Sequence, residues 1–168
     1  MCFLRRTSML LLFVLLGACA SEEALVPKKQ IEQLHWVTFG QSTMPLVLAG
    51  NASSDIVLLK LHGGPGASAV QEYQASDWVD DFEQDYVMAY WDQPFAGYSI
   101  NRRFPSIAEL DLAIYRQALV EVVRSINRIL PGKKIVFWGQ SWGGLVLSDF
   151  ITEPRLQSLY AGWINESG

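Results

Sequence analysis

Gly139-Gln140-Ser141-Trp142-Gly143-Gly144 follows the apolar run Ile135–Trp138 and opens a helical pattern that lasts to about Ile151. A Gly-x-Ser-x-Gly between a strand and a helix predicts a nucleophile elbow, a turn so tight that its serine is held in a strained backbone conformation. Gly139 and Gly143 carry no Cβ, so neighbouring chain can crowd against them. The Ser141 hydroxyl is thereby pushed into the open at the top of a sheet, where it can attack an acyl carbon.

A second motif lies upstream. Ile56–Leu61 reads as a strand buried on both faces, nearly unbroken in apolar residues. It runs straight into His62-Gly63-Gly64-Pro65-Gly66. Acyl transfer creates an oxyanion that fixed N–H donors must meet. The backbone N–H of Trp142, the residue after the nucleophile, supplies one donor in this architecture, and the loop after the third strand supplies the other. Gly64 is the candidate there, each donor being worth about 3 kcal/mol of barrier. His62 precedes Ser141, whereas the catalytic histidine of such a site follows the serine. His62 is therefore expected to hold the loop by hydrogen bonds. Asp92, at the end of a strand, is read as a loop-bracing carboxylate.

These two motifs, with Trp91-Asp92-Gln93 and Gly97-Tyr98-Ser99 between them, occur in one order and spacing that resembles the proline iminopeptidase family of α/β-hydrolases. The resemblance covers Ile31 to the chain end. It implies an α/β-hydrolase fold, with a mostly parallel sheet and helices on both faces. The implied activity is cleavage of N-terminal residues from peptides through an acyl-enzyme on Ser141, with no cofactor. The supporting positions are His62, Gly63, Pro65, Gly66, Gly139 and Gly143. The family's middle motif usually reads Asp-Gln-Arg-Gly-x-Gly-x-Ser; here Pro94 and Phe95 stand in place of the Arg and the first Gly, which implies a more apolar or reshaped rim. Esterases and amidases share the scaffold, so a small peptide or an ester is the expected substrate.

Composition agrees. Half of the 168 residues are hydrophobic and 18% are charged, which suits one packed core and argues against disorder. The formal net charge of −4 makes nucleic acid an unsuitable partner. Two histidines and no Cys-x-x-Cys give nothing from which to build a zinc site.

The N-terminus reads as a targeting segment. Arg5 and Arg6 form a positive region, and Met9–Leu16 is an apolar stretch too short to span a bilayer. Leu16-Gly17-Ala18-Cys19 then matches a bacterial lipobox. On that reading residues 1–18 are a signal peptide, Cys19 is lipidated, residues 19–30 are a tether, and the protein sits in the cell envelope with only its lipid in the membrane. The alternative is ordinary cleavage at Ala18-Cys19-Ala20, giving a soluble periplasmic or secreted protein. Cleavage before Cys19 would leave 11 basic residues against 17 acidic ones, a net charge of −6. One cysteine would remain, so no intrachain disulfide could form.

Between the motifs, strands are expected at Leu34–Phe39, Leu46–Ala49, Tyr86–Trp91 and Leu159–Asn165, with Gly40 and Met44-Pro45 marking the first turn. His35 falls in the first strand, as a surface or pairing residue. Helices are expected at Val70–Phe82, with Tyr73, Trp78 and Phe82 among its apolar positions, and at Ile107–Leu130. The second has Ser106 and Glu109 as a capping box and Ile107, Leu110, Ile114, Ala118, Val122 and Ile126 on one face. Pro131-Gly132 would end it. The order β, β, β, α, β, α, β, α, β corresponds to the first six strands of the fold.

One part of the chemistry is missing. The acid and base of such a hydrolase follow the nucleophile. No histidine follows His62, and the carboxylates after Ser141 are Asp149, Glu153 and Glu166. The first two lie in or beside the nucleophile helix, and Glu166 comes too early for the triad acid. The sequence thus reads as the N-terminal part of a longer enzyme, truncated after about the sixth strand, with the cap and C-terminal part elsewhere. As it stands it is expected to be nearly inert. A truncated, non-catalytic binding domain is the other reading.

Overall fold

The computed structural model describes residues 30–76, 79–100 and 111–167. The signal segment, Cys19, the tether up to residue 29, Trp78 and the Ser106–Glu109 capping box lie outside them. Six strands form one sheet: β1 (Gln30–Phe39), β2 (Ser42–Asn51), β3 (Ile56–Leu61), β4 (Val87–Trp91), β5 (Lys134–Gln140) and β6 (Gly162–Glu166), in the spatial order β1-β2-β4-β3-β5-β6. β2 is antiparallel to both of its neighbours, whereas β4, β3, β5 and β6 run parallel. Parallel neighbours need crossovers, and these are provided by α1 (Ala69–Ala75) with α2 (Val79–Glu83), and by α3 (Leu112–Ile129) and α4 (Trp142–Ile151).

Side-chain alternation on the central strands sorts the interior into two layers. Val57, Leu59 and Leu61 of β3, Ala89 and Trp91 of β4, and Ile135 and Phe137 of β5 face α3 and α4 and form the larger core. Leu58, Met88 and Tyr90 face Ala69 and Val70 of α1 in a smaller one. α3 buries Tyr115, Ala118, Leu119, Val122, Val123 and Ile126, the three-and-four spacing expected of its inner face. Each fully buried aliphatic or Phe side chain contributes about 1.5–3 kcal/mol. Among the described residues no helix is long and apolar enough to cross a membrane.

Four local expectations are corrected. Met44 and Pro45 lie within β2, and the turn is Gly40-Gln41, with Gly40 at φ 57°. Pro45 is accommodated because it falls just beyond Leu46–Trp91, the last residue pair between β2 and β4. The expected helix from Val70 to Phe82 is two short helices, since Ser76 caps α1 in an extended conformation. α3 begins at Leu112 rather than Ile107. Asp111 is extended, and its carboxylate accepts the Ala113 N–H at 3.0 Å. Finally, Pro154–Leu159 forms a 3-10 turn ahead of β6, which starts three residues later than expected.

Candidate active site

Only Ser141 separates β5 from α4. Its backbone sits at φ 50°, ψ −117°, a sparsely populated region that costs on the order of 1–3 kcal/mol and persists only where the surroundings impose it. They impose it from both sides. The Ser141 carbonyl accepts N–H bonds from Gly144 at 2.8 Å and Leu145 at 3.2 Å, and its own N–H donates to the Glu166 carbonyl at 2.9 Å. The hydroxyl makes no capping bond to α4, and Ser141 is exposed. Close approach explains the flanking glycines. A Cβ on Gly143 would strike the Leu61 carbonyl, and one on Gly139 would lie 2.8 Å from the Gly143 carbonyl oxygen.

The loop after β3 comes to the same point. A Cβ placed on Gly63 would stand 3.4 Å from Ser141 Cβ and 3.9 Å from its Oγ. Gly64 follows at φ 122° with a cis peptide bond to Pro65, and Gly66 is at φ 105°. Trp142 is the first residue of α4, where helix geometry leaves the N–H without an intrahelical acceptor. Its ring packs edge-on against Tyr115 of α3 at 5.3 Å.

His62 is buried and fully engaged. The Gln93 N–H donates to Nε2 at 3.0 Å, which places the ring proton on Nδ1, and Nδ1 donates to the Gly63 carbonyl at 2.8 Å. The Gln93 side-chain amide donates to the His62 carbonyl at 2.8 Å. Burial pushes the His62 pKa below its ordinary 6.5; the bond to Gly63 and the charge of Asp92 act against that shift. The imidazole is thus neutral and committed to holding the Gly-Gly-Pro-Gly loop beside Ser141.

Asp92 braces the neighbouring loops. Its buried carboxylate accepts from the Ser68 hydroxyl at 2.9 Å, the Val70 N–H at 3.1 Å and the Tyr98 N–H at 2.8 Å. Its carbonyl accepts from the Ser99 hydroxyl at 2.6 Å. Gln93-Pro94-Phe95-Ala96 closes with Ala96 N–H donating to the Gln93 carbonyl at 3.1 Å. Proline at the second position and a positive φ at the third make a type II turn. Phe95 holds that third position at φ 65°, where glycine is the usual residue.

The later carboxylates are occupied elsewhere. Asp149 pairs with Arg116 of α3 at 2.9 Å, and Glu166 Oε2 accepts from Trp138 Nε1 at 3.1 Å. The role of Glu166 beside the elbow was not visible in the sequence. It depends on the register of β5 against β6, which no local motif encodes.

A family model for the alpha/beta hydrolase fold matches residues 56–148, more than half of the chain, from the start of β3 into α4. The chain belongs to the alpha/beta hydrolase fold family. Among curated relatives, this alpha/beta hydrolase is 26% identical over 139 residues to the "Probable aminopeptidase YbaC" of Bacillus subtilis (strain 168), covering 80% of the chain and 42% of the relative. Among solved structures it resembles a proline iminopeptidase-related protein of Thermus thermophilus, at 17% identity with a TM-score of 0.59, covering 79% of the chain and 43% of that protein. It also resembles the naproxen esterase of Bacillus subtilis, at 18% identity with a TM-score of 0.56, covering 82% and 42%. The chain therefore spans about two fifths of the length of these relatives.

Proposed function

We propose that this alpha/beta hydrolase serves a serine hydrolase of aminopeptidase type, resembling the proline iminopeptidases. In it Ser141 is the nucleophile, and the N–H groups of Gly64 and Trp142 form the oxyanion hole. The observation that carries this reading is an exposed serine at φ 50° with the His-Gly-Gly-Pro-Gly loop packed against it. The Ser141 hydroxyl attacks the substrate carbonyl, the two main-chain donors hold the resulting oxyanion, and water then releases the acyl group.

The hydroxyl needs a general base. The chain's histidines are His35 and His62, and the second is spent on its loop. His35 lies in β1, with β2 and β4 between it and β3, and its Nε2 is 3.2 Å from Gln33 Oε1. The reading therefore assigns the base and its orienting acid to sequence outside these 168 residues. The similarity to a protein named as an aminopeptidase supports an N-terminal residue of a peptide as the group removed.

A second reading, an esterase on the same scaffold, is favoured by one feature. Pro94 and Phe95 give the turn beside the oxyanion loop an apolar character in place of a charged one.

The test uses the full-length protein, assayed with a proline arylamide and with an activated ester. Turnover of the arylamide that drops about 10⁶-fold in Ser141→Ala supports the aminopeptidase. Ester turnover alone selects the second reading. Turnover of both that survives the Ser141→Ala substitution removes the serine mechanism. We further propose that Cys19 is lipidated, so that radiolabelled palmitate enters the protein and is lost in Cys19→Ser; an unlabelled mature protein starting near Ser21 would contradict this.

A further inference from the structure

We propose that Glu166 is a positioning residue for Ser141, and that Lys60 and Trp138 hold it in that role. The pairing of β5 with β6 sets Gln140 against Glu166. The ladder then runs one step past the end of β5, where the Ser141 N–H meets the Glu166 carbonyl. Residues two apart on a strand share a face, so the Glu166 side chain lies on the same side as Trp138 and reaches back to it diagonally. There Trp138 Nε1–H donates to Oε2 at 3.1 Å.

Trp138 is itself fixed. Lys60 stands opposite it in register on β3, with Nζ 4.5 Å from the ring centroid. The Lys60 side chain is 1% exposed and pairs with Glu72 of α1 at 2.9 Å. Lys60, Glu72, Trp138, Gln140 and Glu166 line one cavity of about 230 Å³. A buried cation on an indole face and an ion pair from a helix thus converge on a single indole. That indole grips a carboxylate whose own carbonyl receives the N–H of the strained serine.

The arrangement matters because Ser141 holds a sparsely populated backbone conformation, which persists only where its surroundings impose it. Its N–H needs an acceptor that stays in place while φ remains near 50°. Holding Glu166 by its side chain fixes the carbonyl that accepts this N–H. The bonds to the Ser141 carbonyl come from α4 itself, whereas the bond to Glu166 ties the residue to β6. The catalytic consequence rests on the nucleophile reading above; the backbone geometry does not.

Two measurements on the full-length protein test this: exchange of the Ser141 amide followed by NMR, and the rate of labelling by a fluorophosphonate. Glu166→Ala and Trp138→Phe are expected to speed the exchange about tenfold, roughly the worth of a hydrogen bond to a charged group, and to slow labelling by a similar factor. Glu166→Gln keeps an oxygen for the indole and is expected to recover most of both. Unchanged exchange in Glu166→Ala and Trp138→Phe overturns the proposal. So does Glu166→Gln behaving as Glu166→Ala, since charge or packing would then be the cause. Should Glu166→Ala not fold, Trp138→Phe carries the same comparison. If the exchange pattern holds and no protein labels, wild type included, the nucleophile reading fails while the positioning of Ser141 stands.

Discussion

On the face covered by α3 and α4, the sheet presents Leu46, Leu59, Leu61, Trp91 and Phe137, with Val122, Ile126, Leu147 and Phe150 packed against them. On the opposite face, β3 and β5 present Lys60 and Trp138, and the tyrosine hydroxyls are engaged by carboxylates. Tyr90 donates to Glu83 at 2.9 Å and Tyr73 donates to Glu32 at 2.5 Å. Burial and the neighbouring carboxylates push the pKa of both tyrosines well above the ordinary value. The first face is a dry core of the kind that stabilises a domain. The second contains a buried charge, and breaking such a pair costs far more than forming it contributes. The difference suggests a division of labour: one face supplies stability, while the other places particular atoms near the elbow.

Substitutions at matched depth probe that division. Phe137 is fully buried and meets the rings of Phe150 and Tyr160 at 5.2 and 5.3 Å. Phe137→Ala should cost about 3–5 kcal/mol, read as a lowered thermal midpoint. On the other face, Lys60→Ala leaves the Glu72 carboxylate without its cation; Glu72 is 24% exposed, so the cost should fall at the low end of the range for buried pairs, about 3 kcal/mol. Lys60→Met combined with Glu72→Leu, which removes both charges and keeps the volume, should then return to within about 1 kcal/mol of wild type. A double variant as unstable as Lys60→Ala would make the polar face a stabilising device and erase the contrast.

The pH dependence separates the faces further. His62, at the end of β3 beside the elbow, is neutral when folded, and burial holds its pKa below 6.5. The unfolded chain therefore binds the proton more readily. The contribution of His62 to stability is complete above pH 6.5 and declines as the pH falls below it, towards the folded pKa. Thermal melts should thus show a midpoint that falls between about pH 7 and 5, and a shallower fall in His62→Gln. Parallel slopes in the two proteins would mean that the proton is taken up elsewhere.

What could be read from the sequence follows from how local each constraint is. The elbow was legible because the close approaches at Gly139 and Gly143 forbid a side chain, so geometry is written directly as glycine. β3 was legible to the residue, being a short apolar run between Asp55 and the glycine-rich loop. The bracing role of His62 followed from its place before Ser141 in the chain, and that of Asp92 from its place at a strand end. The break at Ser76 was hidden, because the apolar spacing continues across it. The inclusion of Pro45 in β2 was hidden too, because only the extent of the β4 ladder makes a proline acceptable there. The clamp of Glu166 on the elbow joins residues from two strands through their register, and no pattern within either strand announces it. Substrate preference is less legible still, since Phe95 reveals an apolar turn but not what it touches.

The smallest expected effect concerns the ion pair between α3 and α4. Arg116 Nη1 reaches both oxygens of Asp149, at 3.0 and 2.9 Å, through one nitrogen rather than a two-pronged fork. The side chains are 31% and 24% exposed, so water screens much of the attraction. The helices already meet through the apolar contact of Tyr115 with Trp142, which no salt weakens. Arg116→Ala should therefore cost about 0.5–1 kcal/mol, and the loss should shrink in 1 M salt, where charges are screened beyond about 3 Å. A loss well above that, unchanged by salt, would mean that α4 leans on α3 through charge as well as through packing. The elbow would then owe part of its rigidity to the face assigned here to stability alone.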